Sequence, residues 1–203
     1  MTRRRSSYRS LDSLQRDNRG CRACAEAGFR IESLPVLEGH ARQRAYIFGQ
    51  APGVVEGQER RPWRGRAGQT LRRWLAMDED EFYATFYCAS VTRCYPGRPS
   101  GGGGDRTPTA TEQELCSFWR EWELRLLGPR LVVAVGGLAI RRLLGLTALD
   151  AAVGERFEQN DGAVVPLPHP SGVSRWMNSA ENRARVERAV ELIQAELRVL
   201  DAS

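Results

Sequence analysis

A chain of 203 residues, 41% hydrophobic and 27% charged, has the apolar mass for one full core and too little for two. Its longest apolar runs, such as "LVVAVGGLAI", fall well short of the ~20 residues a membrane-spanning helix needs, which argues against a membrane partner. The net charge is +5 and all 30 cations are arginine. Guanidinium groups fork onto phosphate and stack on bases, so this surplus points toward nucleic acid, with a GC-rich coding bias as the other source of the same composition.

In chain order, "MTRRRSSYRS" is basic and lacks the apolar stretch of a secretory signal; residues 1–10 read as a disordered basic tail and 11–203 as one domain. The expected compartment is the cytoplasm. Leu11 and Leu14 have helical spacing, predicting a short helix that carries Cys21 and Cys24 at or beyond its end. "RAYIFG" predicts a strand, and "RAGQTLRRWLAM" a helix with Leu71, Trp74 and Leu75 on one face. "ATFYCASVT" is a second strand, rich in aromatic and β-branched residues. After the low-complexity loop "PGRPSGGGGDRTPT", Thr111 is expected to cap the helix "EQELCSFWREWELRLL", with Glu114 completing a capping box. "RLVVAVG" is a buried strand, "GLAIRRLLG" a short helix and "GAVVPLPHP" a fourth strand. From Asn178 onward one amphipathic helix carries Val186, Val190, Ile193 and Leu197 on a face. The alternation predicts a three-layer α/β/α sandwich around a central four-stranded parallel sheet. Ligands bind such sheets beyond the carboxyl ends of the strands, where "GQAPG" (49–53) and "HPSG" (169–172) fall.

Five cysteines in a cytosolic chain argue for a metal group or buried thiols rather than disulfides. Cys21 and Cys24 form a two-thiolate bite, while Cys94 and Cys116 stand singly on either side of the Gly-rich loop. A zinc ribbon wants two close pairs; one pair plus two singles is closer to a [4Fe–4S] cluster gathered from distant segments. Two buried thiols at a helix end remain the simpler reading of the Cys21–Cys24 pair. Cys88 lies inside a strand, as a core residue does.

The ordered set Cys-x2-Cys, "GQAPG", "RPWRGRAGQTL", "VTRCYPG", "RTPTATEQELC" and "HPSG" resembles the iron–sulfur uracil-DNA glycosylases, family 4 of that superfamily, over roughly residues 11–190. The resemblance implies a [4Fe–4S] cluster on Cys21, Cys24, Cys94 and Cys116, with a structural role. It implies an enzyme that flips a deaminated base from DNA, hydrolyses its N-glycosidic bond and leaves an abasic site. Backbone amides of the Gly49–Gln50–Ala51 turn and the imidazole of His169 would then face O2 of the leaving base anion. Trp63 would stack on the base, Ser90 would stand at the base-reading position, and Glu56 with Gln50 would hold water or face the sugar cation. Ser171 and Gly172 would support the loop at the minor groove, Trp176 or Met177 would wedge into the vacated stack, and Arg64, Arg66, Arg106 and Arg175 would meet phosphates.

Three positions depart from the family pattern. Gln50 replaces its usual glutamate, Ser90 its asparagine, and the loop after Cys94 is longer and contains no histidine, so no covalent link to the sugar is expected. A serine hydroxyl cannot satisfy both edges an asparagine amide reads, which opens the pocket to hypoxanthine or xanthine as well as uracil. The absence of lysine closes a Schiff-base lyase route through a lysine side chain. The rival expectation is a catalytically weakened iron–sulfur module that binds DNA; either would act as a monomer.

Overall fold

The structure is a computed structural model that describes residues 2–159, 162–171 and 175–202. Its elements are α1 (Leu11–Arg19), α2 (Ala23–Glu26), β1 (Ala45–Gly49), α3 (Val54–Glu59), α4 (Arg66–Leu75), α5 (Glu79–Thr85), β2 (Phe86–Ser90), α6 (Ala110–Leu127), β3 (Leu131–Val135), α7 (Gly137–Leu144), β4 (Phe157–Gln159), β5 (Gly162–Leu167) and α8 (Ala180–Asp201). Short 3-10 turns cover Leu149–Ala151 and Arg175–Asn178. The strands lie in the order β2-β1-β3-β5-β4. The first four are mutually parallel, and β4 adds a short antiparallel edge that the sequence pattern had not suggested. Phe157 is partly buried and Glu158 and Gln159 are exposed, so the three residues carry no buried stripe by which to recognise a strand.

Every residue of β1, β2 and β3 is buried, as a parallel sheet covered on both faces requires. Successive side chains go to opposite layers. Tyr46, Phe48, Tyr87, Ala89, Val132 and Ala134 join Leu14, Trp119 and Ile140 under α1, α6 and α7. Ala45, Ile47, Phe86, Cys88, Leu131 and Val133 join Leu71, Phe82, Val186 and Ile193 under α4, α5 and α8. Cys88 is therefore core, on the opposite face from Cys116. Among the described residues no helix is long and apolar enough to cross a membrane.

Two local expectations change. The amino-terminal segment is not a loose tail throughout: Tyr8 is buried, packs edge-on against Phe118 and Trp122, and shares Asp17 with Arg5, whose Nε donates to it over 2.7 Å. Helix α6 begins two residues early. Thr109, not Thr111, accepts the Glu112 amide at 3.2 Å, and the Glu112 carboxylate returns to the Thr109 amide at 2.7 Å. Arg106 forks onto both Glu112 oxygens at 2.7 Å each, a pairing that favours Glu112 over Glu114 as the box residue.

One buried ion pair joins the elements beneath the first layer. Arg93, just after β2, pairs with Glu123 of α6, both almost fully enclosed. Glu123 also accepts from the hydroxyls of Tyr46 (2.9 Å) and Tyr87 (3.2 Å) and from the Asn18 amide (3.4 Å). Burial lifts both phenols far above their usual pKa, so they remain donors. Replacing Glu123 with alanine strands a buried guanidinium, and urea unfolding should show a loss of about 3–5 kcal/mol. A change below ~1 kcal/mol would mean that the pair contributes nothing net.

Candidate active site and cysteine cavity

Strands β1 and β2 end side by side, with Gly49 opposite Ser90, and β5 delivers His169 two residues beyond its last position. The strand order changes direction between β1 and β3, the position at which open parallel sheets form a crevice. A cavity of about 110 Å³ opens there. It is lined by Gly49, Ala51, Pro52, Gly53, Glu56, Pro62, Trp63, Ala67, Ala89, Ser90, Asp105 and His169. Of the expected site residues, Gly49, Ala51, Glu56, Trp63, Ser90 and His169 thus meet at one place. Gln50 follows in the same turn without lining the cavity; its carbonyl accepts the Thr92 amide at 3.2 Å.

The bareness of the "GQAPG" turn has an internal cause. A Cβ on Gly49 would come within 2.9 Å of the Trp63 indole, and one on Gly53 within 2.8 Å of a Glu56 oxygen and 3.0 Å of Asp105 Oδ2. The turn is stripped to admit the pocket's own walls. Trp63 takes a left-handed backbone conformation (φ 60°), and its carbonyl accepts from Arg72 Nη1 at 2.8 Å. The first turn of α4 lies so close that a Cβ on Gly68 would fall 1.7 Å from the Trp63 carbonyl oxygen. The glycine of "GRAG" therefore sets where the indole stands.

The Glu56 carboxylate is a brace. One oxygen accepts the Gly53 amide at 3.1 Å and the other the Gly65 amide at 2.7 Å, tying the first turn to the start of α4. Ser90 is buried, and its hydroxyl donates to the Thr92 carbonyl at 2.7 Å, which leaves its lone pairs as the polar feature it can offer the cavity. His169 Nδ1 accepts the Ser171 amide at 3.2 Å and lies 2.9 Å from the Ser171 hydroxyl. That bond assigns the ring proton to Nε2. Burial lowers the His169 pKa below 6.5, against the opposing pull of Asp105 and Glu56, so the imidazole is neutral at pH 7. Pro52, Pro62, Ala67 and Ala89 also line the cavity, and Asp105 is the charged lining residue that sequence reasoning missed, because it sits at the end of a run of four glycines in a segment read as a flexible loop.

Outside the cavity, Trp176 and Met177 pack against the α8 layer, and the indole donates to Asp150 at 2.6 Å. Arg64 is engaged with Glu59 and Glu79, and Arg106 with Glu112 and the Pro96 carbonyl, whereas Arg66 is exposed at the start of α4. The expectations for Gly172 and for the Arg175 side chain lie outside the described residues.

Cys21, Cys24, Cys94 and Cys116 line a second cavity of about 50 Å³, to which the segment after β2 contributes Thr92, Arg93 and Cys94. Burial pushes the Cys24 thiol up to about 12 and raises those of Cys94 and Cys116, so a positively charged group is needed to hold thiolates there. Among the described residues no three His, Cys, Asp or Glu side chains close on one point as a single ion demands. The cavity is furnished with donors toward sulfur: the Arg93 amide bonds Cys116 Sγ at 3.3 Å and Trp119 Nε1 bonds Cys21 Sγ at 3.3 Å. Arg93, 1% exposed and on the cavity wall, has Nε and Nη1 without partners. A metal–sulfur group meets both demands: its metal charge stabilises the thiolates, while the assembly with four thiolates is negative overall and offers sulfur acceptors to the donors Arg93 leaves open.

The model of the uracil DNA glycosylase superfamily matches residues 37–194, and the chain belongs to that superfamily. A type-4 uracil-DNA glycosylase of Thermotoga maritima is 26% identical over 182 residues, covering 87% of this chain and 91% of the relative. A type-4 enzyme of Sulfurisphaera tokodaii is 27% identical over 131 residues, 63% of this chain, and the match spans only about half (54%) of that relative's length. One from Pyrobaculum aerophilum is 28% identical over 139 residues, 67% of this chain and 65% of its own length.

The imidazole assignment predicts a titration. Only two histidines, His40 and His169, contribute to the spectrum. Nitrogen–proton NMR should show His169 as the Nε2–H tautomer with a midpoint below 6.5. Because the unfolded chain takes this proton first, the group does not oppose folding above pH 6.5 and does so increasingly below it. A midpoint at or above 6.5 would contradict a buried neutral ring.

Proposed function

We propose that the protein is a monofunctional DNA glycosylase that hydrolyses the N-glycosidic bond of uracil or another deaminated base and leaves an abasic site. The observation that carries this reading is His169: a neutral imidazole, held by Ser171 with its proton on Nε2, in a cavity that also presents Trp63 and Ser90. A base entering that cavity can stack on the indole. Cleavage puts negative charge on the departing base, and a preorganised donor in a half-dry cavity stabilises that charge far better than water does. Neutrality matters, since a neutral donor stabilises the developing anion without having bound a ground-state anion first.

Ser90 narrows the substrate class. With its proton engaged by Thr92, the hydroxyl accepts from a ring N–H and cannot donate to a ring nitrogen. Uracil presents such an N–H at N3, and hypoxanthine and xanthine present one at N1; cytosine and adenine present lone pairs at the corresponding positions. Deamination of cytosine or adenine converts the second kind of edge into the first, whereas guanine already carries the N1–H that xanthine keeps, so Ser90 alone does not separate that pair. Exposed Arg66 would meet the backbone phosphates, and the segment bearing Ser171, Trp176 and Met177 follows the His169 loop and would face the opened stack.

The four-cysteine cavity supports a [4Fe–4S] cluster as resident group. Cys21, Cys24, Cys94 and Cys116 would hold it, with the Arg93 amide and the Trp119 indole donating to the sulfurs of Cys116 and Cys21. Its chemistry there is cross-linking: it would fasten α1, α2 and α6 to the segment after β2. A monomer in the cytoplasm, where thiols stay reduced, suits this donor set.

Two experiments test the reading. Under single-turnover conditions, oligonucleotides carrying uracil, hypoxanthine or xanthine should yield alkali-labile abasic sites. His169→Ala should slow that release by roughly 10²-fold with DNA binding preserved; tight binding without release of any base would instead identify a DNA-binding module. For the cluster, anaerobically purified protein should be brown and contain about four irons with equivalent sulfide. Stoichiometric zinc would overturn the assignment.

A further inference from the structure

Resting on that reading, we infer that Asp105, from the foot of the Gly-rich loop, is the catalytic carboxylate that positions and deprotonates the attacking water. Of the two carboxylates on the cavity wall, Glu56 has each oxygen bonded to a backbone amide, at Gly53 and Gly65. Moving it would release two loops at once. Asp105 has no backbone amide on its carboxylate among the described residues; it is solvent-exposed, its hydrogen-bond partner is the Tyr95 hydroxyl, and its Oδ2 lies beside Gly53, 3.0 Å from where a Cβ there would stand.

Its place is fixed despite the glycines before it. The Arg106 amide donates to the Gly97 carbonyl at 2.9 Å, closing the loop at its base. The Arg106 guanidinium adds bonds to the Pro96 carbonyl (3.1 Å) and to buried Glu112 (2.7 Å). Asp105 is thus the first residue out from a clamped foot. It also lies near enough to His169 to favour the imidazolium there, ahead of Glu56 in that effect. The cavity therefore presents a donor for the leaving base and a carboxylate for the nucleophile, from separate loops.

The step balances without a further reagent. The C1′–N bond breaks and its electron pair leaves on the base, stabilised by His169 Nε2–H. The oxygen of water bonds to C1′, and the proton that water loses passes to Asp105.

The test compares Asp105→Asn, Asp105→Ala and Glu56→Gln with the wild-type protein in single-turnover excision and in binding to abasic-site DNA. Asp105→Asn should slow excision about 10²-fold with binding within twofold. Formate should restore part of the rate to Asp105→Ala by placing a carboxylate where the side chain was. Glu56→Gln should lower the melting temperature, a loss Asp105→Asn does not share. Wild-type protein that excises a base while Asp105→Asn does so within threefold of its rate would overturn the inference alone. So would a loss in Asp105→Ala that neither formate nor an Asp105→Glu replacement reverses, since that marks a merely structural anchor. Wild-type protein that excises nothing would overturn the glycosylase reading, and this inference with it.

Discussion

The buried pair between Arg93 and Glu123 holds the two halves of the site in one frame. Arg93 follows β2 directly, three residues after Ser90, and its own backbone amide bonds a cysteine sulfur. Glu123 gathers the Arg93 guanidinium, two strand tyrosines and an α1 asparagine onto one carboxylate. A charge this deep is costly unless every donor arrives, so the network demands that α1, β1, β2 and α6 occupy a single arrangement. The same strands, β1 and β2, end at Gly49 and Ser90 on the pocket floor. The pocket and the cysteine cavity thus share the strands and the post-β2 segment that this network fixes.

The pocket itself is a set of backbone constraints. Its glycines admit an indole and two carboxylates, so the turn that looks empty in the sequence is filled in space. Trp63 is held from behind by α4 through Gly68 and from the side by Arg72. Ser171 sets the tautomer of His169, and Glu56 ties the turn to α4. Preorganisation of this kind is what lets a small number of donors act strongly on a developing charge.

The parts of this arrangement legible in the sequence were those marked by unusual backbone needs. Gly49, Gly53 and Gly68 sit where close approach forbids a side chain, and His169 sits past a strand that ends at prolines. The four parallel strands were legible from continuous apolar runs. The rest depended on long-range pairing that no local pattern carries. Glu123 lies within an amphipathic helix and looks like any solvated acid until Arg93 meets it. Thr109 and Thr111 are both competent caps, and Arg106 decides between them by engaging Glu112. Tyr8 follows a basic tail, yet α6 supplies aromatic partners for it. The two amides on Glu56 likewise come from Gly53 and Gly65, a closure of the loop that no local spacing announces.

The Gly-rich loop has a clamped foot and a tip at which side chains on Gly101 to Gly104 would meet only open space. Closing a longer loop across the same foot costs only about 0.6 kcal/mol for each doubling of its length. Variation in the length of the tip is thus nearly neutral for stability and leaves the residue beside the clamp in place, whereas Gly102 (φ 78°) and Gly103 (φ 100°) hold left-handed backbone that favours glycine. Selection can rework this segment as an outer contact surface, or accept an inserted peptide within it, while the interior of the crevice stays as it is.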